Sequence, residues 1–300
     1  MRSPEFYKEE LRCDHLVTEK VKKLWDVQMG CLEELKRVCD KHNIKYFATG
    51  GTLLGAIRHK GYIPWDDDLD VAMMMDDYIR FIDVAKDEIK APYYFQSFET
   101  EPGFGPSLSR IRNSSTTACT EFEYTHCPQG YNMGIFIDIF PLTGVAPSSL
   151  AQYFQKSKVF FWRTLLAGYE AESMKKLKIA KMSTKDYAYL LAWICAKPFT
   201  NHKQLSWKFL RVCDYKNAKS SGLISFMSFN KRYIWNSEDF DKITQVPFED
   251  TTVAVPANYD KLLRHTYGDY NVFVKGAAIH SMKLFDPDHP YTTVLIDRLQ

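Results

Sequence analysis

The chain has 300 residues, of which 45% are apolar and 15% aromatic, so it can bury a sizeable core as one large domain or two small ones. Its formal net charge of +2 excludes a protein whose whole surface binds nucleic acid or another polyanion. The longest apolar stretch, residues 187–196, has ten residues, whereas a bilayer span needs about 20. With no charged-then-apolar leader and seven cysteines that form no CxxC pair, the sequence predicts a cytoplasmic protein.

The first strong pattern along the chain is that of an amphipathic helix over residues 18–41. Apolar side chains recur there at steps of three to four residues, which is the period of one helix face. His42 and Asn43 close the pattern. We expect this helix to pack on a sheet as a scaffold.

A glycine turn follows the short apolar run of residues 44–48. Gly50 and Gly51 lead directly into a helical pattern, so the turn presents free backbone N–H groups and the positive end of a helix, which suit a phosphate. Thr52 is expected to cap the helix or contact a phosphate oxygen. Arg58 adds positive charge at the far end of the helix.

Four aspartates within five positions, residues 66–70, come next. Residues 68–73 alternate like a strand, so Asp68 and Asp70 are predicted to lie on one face. Two adjacent carboxylates repel each other unless a cation sits between them, and Mg²⁺, or alternatively Mn²⁺, suits carboxylate oxygens. A phosphate turn followed by a metal-binding pair is the pattern of phosphoryl transfer.

Residues 76–89 predict a second helix with Asp76 as its N-cap, and Tyr93 begins another strand. Residues 108–112 alternate, which places Arg110 and Arg112 on one strand face. The two arginines are either a surface pair or a fork for the diphosphate of a nucleotide donor.

Residues 134–140 predict a buried strand that is apolar except at Asp138. A carboxylate inside such a strand needs a partner, and the metal held by Asp68 and Asp70 is the obvious one. Asp138 would then serve as a third metal ligand or as the general base for an acceptor hydroxyl.

Between residues 156 and 211 the chain is helical in pattern and strongly basic, with twelve Lys and Arg against three Asp and Glu, a local charge of +9. Aromatic residues are interleaved with the basic ones. The segment is either a solvated helical face or a surface that contacts an anionic membrane or an anionic lipid-linked acceptor.

The string GGTLLGAIRHKGYIPWDDDLDV at residues 50–71 resembles the signature of the LicD family. This family comprises nucleotidyltransferase-fold phosphotransferases, among them bacterial phosphocholine transferases and the fukutin-related proteins. Downstream segments strengthen the resemblance: RIRNS at residues 110–114, GIFIDIFPL at residues 134–142 and YGDY at residues 267–270.

The resemblance implies an α+β fold with a nucleotidyltransferase-like mixed sheet. We expect residues 1–300 to form a single catalytic unit. Its core would span about residues 17–142, a basic helical insertion would occupy about 149–219, and a C-terminal segment of about 221–300 would close over the core.

The resemblance further implies transfer of phosphocholine, or a related phospho-alcohol, from a CDP-activated donor to a hydroxyl of a cell-surface glycan. Teichoic acid, lipopolysaccharide or a lipid-linked precursor would be the acceptor, and we expect a cytoplasmic protein that works peripherally at the inner membrane face. Mg²⁺ on Asp68, Asp70 and Asp138 would offset the developing charge, while Gly50, Gly51, Thr52, Arg58, Arg110 and Arg112 would bind the phosphates.

Two further sets of side chains are candidate binding residues. A quaternary ammonium needs an aromatic cage, for which position in the sequence nominates Trp65, Tyr94, Phe122 and Tyr124. Some fukutin-related proteins carry a zinc loop near the region that holds Cys119, His126 and Cys127 here. Only these three plausible ligands lie in this stretch, and their spacing is unlike a regular zinc finger, so ordinary thiols are favoured.

Three alternative functions remain open from the sequence. The donor could be CDP-ribitol or CDP-glycerol, since other members of the family move such groups. The enzyme could instead transfer a nucleotidyl group from a nucleoside triphosphate. A non-catalytic adaptor that keeps the fold is the third possibility.

Overall fold

The computed structural model describes residues 2–101, 103–126, 130–177, 183–227, 229–274 and 282–296. Its strands are β1 (Glu10–Arg12), β2 (His15–Val17), β3 (Phe47–Ala48), β4 (Asp70–Met74), β5 (Tyr93–Gln96), β6 (Ser109–Asn113), β7 (Thr117–Cys119), β8 (Ile135–Val145), β9 (Leu223–Ser225), β10 (Ile234–Asn236), β11 (Ile243–Phe248), β12 (Thr251–Pro256) and β13 (Leu284–Asp286). Its α-helices are α1 (Glu19–His42), α2 (Gly50–Arg58), α3 (Met75–Glu88), α4 (Glu121–His126), α5 (Ser149–Leu177), α6 (Thr184–Ala196), α7 (His202–Cys213), α8 (Tyr259–Tyr267) and α9 (Tyr291–Val294).

Within these ranges, seven strands form one mixed sheet, which confirms the predicted α+β class. The long strand β8 is its centre: β4 pairs with it in parallel on one side, and β6 pairs with it antiparallel on the other. β3 and β5 extend the sheet outward from β4 and β6, while β9 and β10 continue it from the far end of β8. Residue 138 of β8 therefore lies between β4 and β6.

Helix α1 forms as its sequence pattern predicts, because both of its ends carry local signals. The Thr18 hydroxyl accepts a hydrogen bond from the Val21 N–H, and Asn43 ends the helix in the left-handed conformation. The face that carries Trp25, Met29, Leu32 and Leu35 is fully buried in the main core, together with apolar residues of the central sheet. The helix therefore braces the sheet.

Two predicted starts are shifted in the structure. Strand β4 begins at Asp70, two residues later than predicted, where its parallel pairing with Asp138 of β8 starts. Helix α3 begins at Met75, so Asp76 lies in its first turn and is not the N-cap. An acidic residue in the first turn still interacts favourably with the helix dipole.

Helices α5, α6 and α7 have an apolar core of their own, distinct from the main one. It includes Val159, Leu166, Trp193 and Phe209 and joins the end of β8 through Val145. A hydrogen bond from the Gln155 side-chain N–H to the Gly144 carbonyl (2.8 Å) fastens α5 to β8. The helices thus extend from the end of β8 that is opposite to Asp138.

Candidate active site

Asp70 and Asp138 lie side by side on the two central parallel strands. Strands β4 and β8 pair so that Asp70 is in register with Asp138, and residues in register point to the same face of a sheet. The Asp138 N–H donates to the Leu69 carbonyl at 3.0 Å, which extends the pairing to the residue before β4. The fold therefore brings together two carboxylates that are far apart in the chain.

Asp68 lies in the segment that leads into β4, close enough for the charges of Asp70 and Asp138 to affect its pKa. Burial raises its pKa, and the charges of Asp70, Asp66 and Asp138 raise it further. The pKa of Asp70 is also raised far above its ordinary value, first by burial and then by Asp138 and Asp66, while Arg110 opposes the shift. The predicted carboxylates thus form one mutually repelling acidic cluster.

The chemistry of this cluster fits a divalent cation. Hard carboxylate oxygens that repel one another are the ligands that Mg²⁺ and Mn²⁺ prefer. Over the described part of the chain, however, no group of three or more His, Cys, Asp or Glu side chains already has the arrangement of a metal site. The donor set is therefore suitable for the ion, whereas a completed coordination geometry is not present.

Arg110 connects the acidic cluster to a second carboxylate, Glu123. Its Nε donates to Asp138 Oδ1 at 2.6 Å, and its Nη1 donates to Glu123 Oε1 at 2.9 Å. Its side chain is 11% exposed, so part of the guanidinium still faces the site. Arg110 both orients Asp138 and places a positive charge beside the aspartates.

Arg112 has a different environment from Arg110, although both arginines contact Glu123. Arg112 is completely buried, and its guanidinium donates to Gln96 Oε1 (2.6 Å) and to the Gly134 carbonyl (2.8 Å) as well as to Glu123. A phosphate cannot reach a fully enclosed side chain with these partners. The prediction that Arg112 binds phosphate is therefore corrected. Arg112 holds Glu123 and Gln96 in place and does not line the site.

The glycine turn lies against the acidic cluster, with its backbone held by the first residue of β4. Gly50 has a positive φ of 55°, which favours glycine, and a Cβ built on it would lie 3.4 Å from Asp70 Oδ2. A Cβ on Gly51 would lie only 2.6 Å from Asp66 Oδ2. Thr52 does not cap helix α2; its hydroxyl accepts a hydrogen bond from the Asp70 N–H at 2.7 Å.

Arg58 lies at the other end of α2, about 12 Å along the helix axis from Gly50. Its Nη1 donates to the Tyr270 carbonyl at 2.7 Å, and its guanidinium lies over the Phe273 ring at 4.7 Å from the centroid. These contacts bind the C-terminal segment to α2. The predicted role of Arg58 in phosphate binding is therefore not supported by its position.

The four aromatic residues nominated as a choline cage are divided between two parts of the molecule. Trp65 packs edge-on against His15, His59 and Phe273. The Tyr94 hydroxyl donates to the Thr100 carbonyl at 3.2 Å, Tyr124 packs in the small cluster around Met133, and Phe122 is 54% exposed. These contacts do not bring the four rings together around one space, so the choline cage stays a prediction from sequence position.

A different set of aromatic rings lines a narrow pocket directly beside Thr49 and Gly50. Its rings are those of Phe226, Tyr233, Trp235, Phe240 and Tyr267. The centroids of Phe226 and Tyr233 are 5.6 Å apart, and those of Phe226 and Trp235 are 5.4 Å apart. Burial raises the pKa of Tyr267 most, and Tyr233, Asp70 and Asp66 also raise it against the opposing effect of Arg232, so this ring lies in the field of the acidic cluster.

Sequence reasoning missed this pocket and also missed Glu123. The only signal for the pocket was the YGDY string that begins at Tyr267, since its other rings come from an irregular segment without a clear period. Glu123 lies on the short helix α4, in a region considered only for zinc and for the choline cage. Its importance becomes visible only when Arg110 and Arg112 are seen to share it.

The candidate zinc ligands are only partly covered by the described residues. Cys119 is fully buried, and its Sγ lies 3.8 Å from the sulfur of Met133. Cys127 and the side chain of His126 lie outside the described part. The environment of Cys119 is that of an ordinary core thiol.

Comparison with known proteins agrees with this geometry. Residues 43–179 match the family model described as "LicD/FKTN/FKRP, nucleotidyltransferase domain". The chain is 29% identical to a "Lipopolysaccharide cholinephosphotransferase LicD" of Haemophilus influenzae over 251 residues, which are 81% of this chain and 88% of that protein. It also resembles uncharacterized proteins of Rickettsia typhi (50% identity over 17% of this chain and 16% of that protein) and Rickettsia prowazekii (35% identity over 32% of each). Residues 43–179, which contain the acidic cluster and the glycine turn, therefore match the nucleotidyltransferase domain of the LicD family.

Proposed function

We propose that this protein transfers phosphocholine from CDP-choline to a hydroxyl of a lipopolysaccharide-type glycan, with release of CMP. The observation that carries the proposal is the pairing of Asp70 with Asp138 directly beside the Gly50 turn. Carboxylates that can hold a divalent ion next to an exposed helix N-terminus are the parts that phosphoryl transfer requires. The name of the Haemophilus relative supports both the phosphocholine group and the glycan acceptor.

Each side chain at the site has a role that follows from its contacts. Asp68 and Asp70 would hold the ion, together with the Asp138 oxygen that Arg110 does not orient. A bound Mg²⁺ or Mn²⁺ supplies positive charge at the phosphate oxygens. Arg110 adds a second positive charge from the other side of Asp138. The backbone N–H groups of Gly50 and Gly51 would seat the donor phosphates.

The aromatic pocket beside the turn favours choline as the alcohol. Its rings come from Phe226, Tyr233, Trp235 and Tyr267, and a quaternary ammonium is attracted to aromatic faces. The Thr266 hydroxyl at the pocket already accepts from Trp235 Nε1 at 3.3 Å. A polyol such as ribitol or glycerol carries no positive charge, so it would gain no cation–π attraction from these rings.

Isothermal titration in the presence of Mg²⁺ distinguishes the possible donors. We expect CDP-choline to bind more tightly than CDP-ribitol, CDP-glycerol or CTP. Binding of a polyol donor without binding of CDP-choline would overturn the choice of alcohol. Tight binding of CTP, with pyrophosphate released on turnover, would favour the nucleotidyltransferase alternative.

Removal of divalent ions tests the metal part of the proposal. Treatment with EDTA should abolish transfer, and added Mg²⁺ or Mn²⁺ should restore it. The same titration without donor should detect ion binding that is lost in Asp70→Asn. Full transfer in excess EDTA would contradict the proposed role of the carboxylates.

A further inference from the structure

The first half of helix α5 exposes a stripe of large apolar side chains. More than half of the surface of each is accessible: Leu150, Tyr153, Phe154, Phe160 and Phe161. At 3.6 residues per turn these positions fall on one side of the helix, opposite Gln155, Val159 and Leu166, which are buried. Single exposed apolar residues are common, but a continuous stripe on one helix indicates a contact surface.

The next two elements of the chain also expose large apolar side chains. Tyr187, Leu191 and Ile194 lie on one side of α6, and Phe199 in the following 3₁₀ turn is 85% exposed. Helices α5 and α6 already pack closely against each other, since a Cβ on Gly168 would lie 2.1 Å from the Tyr189 carbonyl oxygen. The contact between α5 and α6 is therefore already formed, and it leaves these apolar side chains exposed.

Basic residues flank the stripe on both of its edges. Lys156 and Arg163 lie along one edge of the stripe on α5, and Lys158 lies along the other; all three are exposed. Over residues 156–211 the charge is twelve basic minus three acidic residues, or +9. Of the acidic residues, Glu172 pairs with Lys197 in the 3₁₀ turn after α6, away from Lys156, Lys158 and Arg163 in the sequence.

We propose that this face of α5 and α6 docks on the surface of an anionic lipid bilayer. An apolar stripe edged by Lys and Arg is the pattern of a helix that lies in the membrane interface, with rings among the acyl chains and cations at the head groups. No helix in the described ranges is long and apolar enough to cross a membrane. A second copy of the chain is a poorer occupant, because the basic residues that flank the stripe in the two copies would repel each other.

Vesicle flotation with the purified full chain tests this proposal without any dependence on enzymatic activity. The protein should float with vesicles that contain phosphatidylglycerol, float much less with pure phosphatidylcholine vesicles, and lose binding as salt is raised. The double variant Phe154→Ser/Phe161→Ser should bind at least about tenfold more weakly, since two rings no longer enter the interface. Lys156→Glu/Lys158→Glu should weaken binding to the anionic vesicles selectively.

Matched controls use side chains of the same kind elsewhere on the surface. Leu11→Ser/Leu16→Ser removes two apolar side chains that are 70% and 55% exposed but lie outside the helical segment, and it should float like the parent protein. Equal loss in this control would overturn the assignment to α5. Absence of flotation, together with sedimentation equilibrium that shows a dimer which Phe154→Ser/Phe161→Ser dissociates, would assign the surface to self-association and overturn the lipid proposal.

Discussion

Asp70 illustrates how single residues here are placed for chemistry at a cost in stability. Its carboxylate is buried beside Asp138, and both burial and the neighbouring charge disfavour its ionised form. In the absence of a divalent ion, Asp70→Asn removes one of the repelling charges. We therefore expect the variant to unfold at higher urea concentration, with a gain of roughly 1–3 kcal/mol. If Asp70→Asn instead had a lower free energy of unfolding than the parent protein in metal-free buffer, the prediction would be contradicted, because other groups would already offset the repulsion.

Arg112 gives a second prediction for a single residue. Because its side chain is buried, its replacement should lower stability, whereas replacement of a phosphate ligand should weaken donor binding. Arg112→Met removes one of the two arginines that neutralise Glu123 and the donor to Gln96 Oε1, and breaking such a buried pair costs about 3–5 kcal/mol. Urea unfolding of Arg112→Met measures this cost, and the double variant Arg112→Met/Glu123→Gln should recover part of it. Unchanged stability with weaker donor binding would restore Arg112 as a phosphate ligand.

Tyr233 tests the aromatic pocket. Tyr233→Leu keeps an apolar side chain but removes one π face, so CDP-choline should bind about tenfold more weakly while CMP binds as before. Tyr153→Leu on the exposed face of α5 is the matched control and should leave both affinities unchanged in the same titration. Equal weakening for CMP and CDP-choline would show that the ring contacts the nucleotide.

The limits of sequence reasoning are clearest for individual side chains. Asp68, Asp70 and Asp138 could be selected because their strand patterns and the family motif both point to them. The contacts of Thr52, Arg58 and Arg112 could not, since they bond to Asp70, to Tyr270 and to Glu123, which no local pattern links to them. Residue types can be read from the sequence, whereas the choice between ligand and structural support depends on burial.

At the scale of elements, helices with local end signals were predictable and short strands were not. The bounds of α1 follow from Thr18 and Asn43, and those of α8 follow from Gly268. Strand β3 has only two residues, and β4 begins at Asp70, where its pairing with the distant strand β8 starts. Pairing between distant segments is a tertiary property, so the sheet order could be inferred only from the family resemblance.

The α5–α6 contact provides a prediction at this scale. Gly168→Ala places a methyl group 2.1 Å from the Tyr189 carbonyl oxygen and 2.6 Å from Trp193 Cβ, so the helices must move apart. We expect a loss of about 1–3 kcal/mol, measured as a lower thermal midpoint by circular dichroism. Gly105→Ala, where an added Cβ meets nothing within 4 Å, is the control and should be close to neutral.

Helix α7 gives a pH-dependent prediction through its first residue. His202 is buried against Tyr169, with ring centroids 4.3 Å apart, and burial lowers its pKa from 6.5 to about 4. The folded state therefore favours the neutral ring, so its contribution to stability is complete above pH 6.5 and is lost as pH falls towards 4. Urea unfolding at several pH values should show a decrease of up to about 3 kcal/mol over this window, reduced in His202→Gln. Identical pH profiles for the two proteins would contradict the assignment.

In the whole molecule, segments from both ends of the chain converge on the acidic loop before β4. Trp25 Nε1 donates to the Asp66 carbonyl (3.2 Å), and the Gln28 side chain donates to the Asp67 carbonyl (2.8 Å), both from α1. From the C-terminal segment, the Met282 N–H donates to Asp67 Oδ2 at 2.7 Å. The carboxylates are thus positioned by the complete fold, which explains why the chain can keep like charges at close range.

Transfer of labelled phosphocholine from CDP-choline to lipopolysaccharide that lacks it, in the presence of Mg²⁺, tests the central claim most directly. The account predicts labelled glycan and an equal amount of CMP with the parent protein. Asp70→Asn and Asp138→Asn, each shown to be folded, should lower the rate by at least about a hundredfold to a thousandfold. Transfer at the parental rate by folded Asp70→Asn would contradict the account.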